Sequence, residues 1–142
     1  MWTYKGEEFT SDDIGEWKGF VYCITDTSNG MKYVGKKTLM SIRKLPPLKG
    51  KTRKRKKIVE TDWQKYYGSS ELVKSLVEEF GKDRFHREIL ELCRTKGEMN
   101  YIEAKLQFDL EVLLRPEEYY NAFIGCRIHR KHVKDIRSRN IK

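Results

Sequence analysis

Residues 19–36 constrain the fold most. Gly19-Phe20-Val21-Tyr22 opens an apolar, β-prone run that ends near residue 25, and Tyr33-Val34-Gly35 lies in a second such run over 31–36. Between them Asp26 to Gly30 supplies turn chemistry, including Ser28-Asn29-Gly30. An Asn-Gly pair suits a type I′ turn, in which both central residues take positive φ, so the two runs are predicted to form a tight hairpin. Tyr22 and Tyr33 then stand on neighbouring strands.

The rest of the chain supplies what such a hairpin must pack against. Ser69 and Ser70 can cap a helix whose Leu72, Val73, Leu76, Val77 and Phe80 form one apolar stripe, and Gly81 can end it. Residues 85–93 read as a third strand. From Lys96 to about Leu114 a longer helix places Met99, Ile102, Leu106, Leu110 and Leu113 at helical spacing, with Pro116 just beyond. The order β-β-α-β-α predicts an α+β domain in which a small three-stranded mixed or antiparallel sheet is flanked by helices. Residues 1–18 read as an N-terminal extension, 19–125 as the domain, and 126–142 as a basic tail. Residues 44–62, with Pro46-Pro47 and Gly50, read as an exposed basic loop.

A chain of 142 residues suits one domain with a modest core. Its charge of +9 is a local device: 11 basic residues and no acidic one lie between Lys36 and Lys57, leaving 19 basic against 21 acidic elsewhere. Such a patch gains affinity for a polyphosphate by releasing counterions, so nucleic acid is the natural partner. No apolar run approaches the roughly 20 residues of a bilayer span, and the N-terminus is unlike a secretory signal, so a cytoplasmic protein with no membrane partner is expected. Cys23, Cys93 and Cys126 show no CxxC spacing, which argues against a disulfide framework or a four-ligand zinc site. Cys23 and Cys93 read as core residues. Cys126, His129 and His132 read as part of a nucleic-acid-contacting tail and not as a metal site.

Glu103 borders the apolar stripe of the second helix, where a carboxylate needs a partner: a neighbouring Lys or Arg, or a metal. Tyr22 and Tyr33 are ordinary strand residues taken singly, Arg43 is one cation among many, and Asn121 suits a turn. Together they change weight. Phosphodiester hydrolysis needs a group that positions or deprotonates water, a cation for the phosphoryl charge, and a carboxylate to hold Mg²⁺. Tyr, Arg and Glu can fill those roles.

The ordered set Tyr22, Tyr33, Gly35, Arg43, Glu103 and Asn121, from about Gly19 to Asn121, resembles the GIY-YIG nuclease superfamily. The first motif departs from the family's Gly-Ile-Tyr in being Phe20-Val21-Tyr22 with Gly19 before it. Gly68 stands where some members carry a histidine, leaving Tyr66 or Tyr67 to take any such role. The resemblance implies a metal-dependent endonuclease using Mg²⁺ (or Mn²⁺), with Glu103 as the metal ligand. It implies Tyr22 as general base, with Tyr33 close by, Arg43 stabilising the phosphoryl group and Asn121 near the end of the domain. An unperturbed tyrosine has a pKa of about 10, so the base role calls for positive charge, with Lys36 the adjacent candidate.

The expected substrate is DNA, double-stranded, cut by a standalone homing or phage-type enzyme acting as a monomer or as a transient homodimer. Backbone contacts are expected from Lys49, Lys51, Arg53, Lys54, Arg55, Lys56 and Lys57 in the loop, and from Arg127, Arg130 and Lys131 in the tail. A type II restriction-like enzyme and a catalytically inactive basic nucleic-acid-binding module are the alternatives.

Overall fold

A computed structural model describes residues 1–125, 128, 130–133 and 136. Its strands, in chain order, are β1 (Trp2–Tyr4), β2 (Glu7–Glu8), β3 (Gly19–Asp26), β4 (Lys32–Thr38), β5 (Met40–Leu45), β6 (Arg55–Glu60) and β7 (Phe85–Cys93). Helix α1 (Glu71–Phe80) precedes β7, and α2 (Lys96–Asp109) follows it. The fold is α+β as expected, but the main sheet has five strands in the order β2-β1-β7-β3-β4, and β5-β6 form a separate two-stranded ladder.

The expected three strands are the centre of the main sheet. β3 pairs antiparallel with β4 and with β7, and Tyr22 lies opposite Gly35. The β3–β7 register slips between Val21 and Tyr22, so a bulge falls at the first tyrosine. Alternation along β3 sends Phe20, Tyr22 and Ile24 into one core with Trp2, Trp63 and Leu39, against which Leu76 and Val77 of α1 pack. Val21 and Cys23 enter a second core with Met99 and Ile102 of α2. Cys23 and Cys93 are buried free thiols, as expected of core residues.

Several expectations are corrected. Residues 1–18 are part of the domain: β1 runs parallel to β7, and Trp2, 2% exposed, donates its indole N–H to the Trp63 carbonyl at 2.7 Å. The hairpin turn is not type I′, because Gly30 takes positive φ (76°) and Asn29 does not. Asp26 closes a wider loop instead, its backbone N–H bonding to the Met31 carbonyl. The basic segment 44–62 is not simply a loop, since β5 and β6 pair over six residues each and only their connection holds the prolines. α2 opens on Thr95, whose hydroxyl accepts from Glu98 N–H while the Glu98 carboxylate accepts from Arg94 N–H, but it stops at Asp109, not Leu114. Beyond it Glu111 takes φ 56°, Val112 is buried, and Leu110 and Leu113 stay in contact with solvent.

Edge strand β4 is covered by chain from the far end of the domain. Lys32 exchanges backbone hydrogen bonds with Glu118 and Tyr120, and the Asn121 amide takes the next place. Asn121 accepts from Val34 N–H at 3.0 Å and donates to Val34 C=O at 2.8 Å, so one side chain pairs like a strand residue. Gln107 of α2 donates to the same carbonyl.

Candidate active site

Tyr22 and Tyr33 share one face of the β3–β4 pair, ring centroids 6.4 Å apart, and Tyr66 stands edge-on to Tyr22 at 6.0 Å. The glycines of both motifs have steric causes. A Cβ on Gly35 would come within 2.5 Å of Tyr22 Oη and 2.7 Å of its Cζ, so the Tyr22 ring lies across bare backbone. A Cβ on Gly19 would meet Met99 of α2 and the Lys37 carbonyl, the latter at 2.7 Å. Gly68, at φ 97°, brings its backbone up to Tyr22 Oη and the Tyr33 ring.

Tyr22 is fully buried, and among the described residues its hydroxyl is the one buried side-chain oxygen or nitrogen that makes no hydrogen bond. Leaving such a group without a well-formed hydrogen bond costs about 1–3 kcal/mol, and the neighbouring Tyr66 meets it only weakly. Burial pushes the Tyr22 hydroxyl well above the usual phenol range, and the neighbouring Tyr66 and Tyr33 and the Glu103 carboxylate push the same way. Tyr33 is also raised by burial, partly offset by its hydrogen bond with Ser69 (3.2 Å).

Lys36 points to the opposite face from Gly35. Its ammonium donates to Asn100 Oδ1 and lies 3.7 Å from Glu103 Oε1. Burial raises the Glu103 carboxyl above its ordinary value, and Lys36 draws it back down. Asn100 precedes Glu103 by three residues, so both stand on one side of α2. An open groove of about 580 Å³ runs past Tyr66 and Gly68, with Lys65, Lys74 and Lys82 along it.

The fold thus sets Tyr22 beside Tyr33 on one face of the β3–β4 pair and joins Lys36 to Glu103 on the other, near enough for the Glu103 carboxylate to act electrostatically on both tyrosines. The positive charge expected beside Tyr22 is not there: Lys36 serves Glu103, and Lys37 is held by Asp62 at 2.7 Å and over the Tyr66 ring. Asn121 stands behind the site, fixing Val34 between Tyr33 and Gly35. Arg43 is not brought in. It lies on β5, exposed, its side chain making no hydrogen bond or ion pair among the described residues. Lys49, Lys51, Arg53 and Lys54 are exposed in the β5–β6 connection, Arg55, Lys56 and Lys57 are exposed on β6, and Arg130 and Lys131 are exposed in a short 3₁₀ turn. Arg127 lies outside the described residues, as do Cys126 and His129.

Sequence reasoning missed Asn100 and left Tyr66 and Tyr67 unresolved. The signal for Asn100 was its i, i+3 spacing to Glu103. Tyr66 is chosen over Tyr67 by packing, since Arg87 donates to the Tyr66 carbonyl at 2.8 Å and stacks on the Tyr67 ring.

A residue set that could hold one Mg²⁺ is present in a restricted sense. No cluster of three or more His, Cys, Asp or Glu side chains exists among the described residues. Mg²⁺, however, is commonly bound by one or two carboxylates, with water and substrate phosphate filling its remaining positions. Glu103, its side chain largely sheltered and its charge met by Lys36 only at 3.7 Å, fits that donor set.

Two tyrosines on adjacent antiparallel strands, a glycine kept bare beneath one of them, and a helix-borne glutamate at the sheet edge define a GIY-YIG nuclease domain. Residues 2–124 match the family model described as "Putative endonuclease segE, GIY-YIG domain", and the chain belongs to that family. The match begins at β1, in keeping with the place of that strand in the sheet. No curated protein and no solved structure matches the chain. No helix among the described residues is long and apolar enough to cross a membrane.

Proposed function

We propose that this protein is a metal-dependent endonuclease of double-stranded DNA, of the homing or phage type, with Glu103 as ligand for Mg²⁺ (or Mn²⁺). The observation that carries the reading is the buried Tyr22 hydroxyl with no well-formed hydrogen bond, set beside Tyr33 and within the electrostatic reach of Glu103. At neutral pH this hydroxyl keeps its proton, because burial disfavours the phenolate. It is therefore a hydrogen-bond donor for a phosphoryl oxygen or for the attacking water. The general-base role implied by the resemblance would need a lowered pKa, and the chain's own residues raise it. A bound divalent ion supplies charge neutralisation at the scissile phosphate and an acidified water. Lys36 is the cation that stands beside the proposed metal ligand Glu103, Tyr33 walls the site, and Asn121 holds β4 in register.

The placement of Arg43 is the one observation that favours the inactive binding module, because it leaves the phosphoryl group without the expected guanidinium. One experiment separates the two. Purified protein is incubated with supercoiled plasmid in Mg²⁺ or EDTA, beside Glu103→Gln. Nicking or linearisation that needs Mg²⁺ and is lost in the variant is expected. DNA that is bound but never cut, across several DNA forms, would overturn the enzyme reading. Discrete fragments at a short recurring sequence would mark a restriction-like enzyme. With a single site per chain, nicking is expected of the monomer and double-strand cleavage of a dimer.

A further inference from the structure

We propose that the β5–β6 hairpin is a two-stranded ribbon that enters the major groove of B-form DNA with its Arg43, Arg55 and Lys57 face toward the base edges. The partner rests on the DNA-endonuclease reading; the groove and the face are new.

The ribbon is built from six in-register pairs, from Met40↔Glu60 to Leu45↔Arg55, and among the described residues no third strand joins it. Alternation sorts its side chains. Arg43 and Lys57 are directly opposed, and Arg55 follows on the same face opposite Leu45. On the other face Ile42 opposes Ile58 and Lys44 opposes Lys56. On that second face Ile42 and Ile58, themselves largely exposed, border a cavity of about 230 Å³ with Lys18 and Lys96. The first face carries both arginines of the ribbon, Arg43 and Arg55, exposed beside Lys57, with Arg55 Nε donating to the Pro46 carbonyl at 3.2 Å.

Like charges directly opposed across a strand pair are destabilising, and this ribbon carries two such pairs, Arg43↔Lys57 and Lys44↔Lys56. No acidic residue lies between Lys36 and Lys57 to relieve them. A polyanion does. Strands of six residues span about 20 Å, and a two-stranded ribbon fits a B-form major groove about 12 Å wide. The A-form groove of RNA is too narrow and deep for side chains to read. Arginine in the major groove pairs bidentately with guanine O6 and N7, so this face offers sequence readout as well as charge.

The ribbon is also clamped to the catalytic strand. Leu39, fully buried at its root, accepts from Thr61 N–H at 2.9 Å, and Thr61 Oγ1 donates to the Thr38 carbonyl. β4 carries Tyr33, Gly35 and Lys36, so bases read by the ribbon lie at a fixed distance from the site.

The test is binding in EDTA to a mixed-sequence duplex pool, enriched by rounds of binding, then treated sparingly with dimethyl sulfate, which methylates guanine N7 in the major groove. Duplexes methylated at particular guanines are expected to be excluded from the complex. The triple variant Arg43→Ala/Arg55→Ala/Lys57→Ala should bind at least about tenfold more weakly and lose that exclusion. Lys44→Ala/Lys56→Ala should keep the exclusion and lose only salt-dependent affinity, its slope falling by about 0.9 per contacting cation removed. Circular dichroism verifies that both variants fold. Absence of N7 interference with the wild type, its persistence in the triple variant, or equal affinity for double-stranded RNA overturns the proposal. The two readings fail separately. A protein that nicks plasmid without N7 interference is a nuclease without this ribbon contact, and one that shows interference but never nicks keeps the ribbon and loses the enzyme.

Discussion

Asp26 and Tyr22 lie on the same strand, and both are fully buried polar residues, yet their surroundings are opposite. Asp26 accepts from Ser28 N–H and Oγ, from Arg84 Nε and Nη2 at 2.7 and 2.8 Å, and from Tyr120 Oη at 2.9 Å. The Arg84 guanidinium, first among these, holds its carboxyl far below the ordinary range. Tyr22 Oη has no such partner. A saturated buried group ties the hairpin loop, the turn before β7 and the chain around residue 120 together, and that is structure. A buried group left open amid other tyrosines and a carboxylate is a place prepared for something that comes and goes, which is function.

The comparison breaks most visibly at Asp26. Replacing it with Ala strands Arg84, Tyr120 and Ser28, and should lower the free energy of unfolding in urea by about 3 kcal/mol. This is the lower end for a buried pair, because Arg84 is partly open to water. Below the midpoint the surviving folded protein should still cleave. The network is also pH-dependent with a definite sign. The folded pKa lies below the unfolded one, so its stability is present above the unfolded value and is lost as the pH falls below about 4.

Tyr22→Phe is the mirror experiment. It removes a hydroxyl that makes no well-formed hydrogen bond in the protein, so stability should be unchanged or slightly higher, while cleavage falls by about 10²-fold, or about 3 kcal/mol of barrier. Loss of stability with activity intact would place Tyr22 with Asp26.

The central hairpin was legible because its signals are local: two β-prone runs and a turn. The same holds for α1, whose cap at Ser70 and stop at Gly81 are where the residue types put them. β1 and β2 were not legible, because strands of three and two residues exist only through pairing with β7 and the burial of Trp2. β6 hides behind lysines, which have weak strand preference, and is made a strand by its partner. The end of α2 was misread because Leu110 and Leu113 continue a helical period that Glu111 breaks with positive φ. Within the candidate site, the facing of Tyr22 and Tyr33 followed from the two motifs on adjacent strands. The placement of Arg43 on a separate ribbon did not, since counting residues from Tyr33 cannot reveal that the chain leaves the main sheet at Leu39. The tie from Asn121 to Val34 likewise spans 87 residues and no local pattern announces it.

Glu103 sits between the two extremes, and its titration decides which side it belongs to. It has a cation nearby, as Asp26 does, but burial outweighs Lys36 and its pKa is raised. A raised folded pKa means that the folded protein binds this proton more readily than the unfolded chain. Any stability from the site is therefore fully present below the unfolded value of about 4.5 and is lost as the pH rises through the folded one. At neutral pH the charged carboxylate is a small cost to the metal-free fold. Glu103→Gln in EDTA should accordingly match the wild type in melting temperature near pH 4 and exceed it by a margin that grows toward pH 7, the smallest of these three effects. Adding Mg²⁺ should raise the wild type alone. A variant less stable than the wild type at pH 7 would make the Lys36–Glu103 contact a structural ion pair like Asp26–Arg84, and would remove the carboxylate from the metal-binding role.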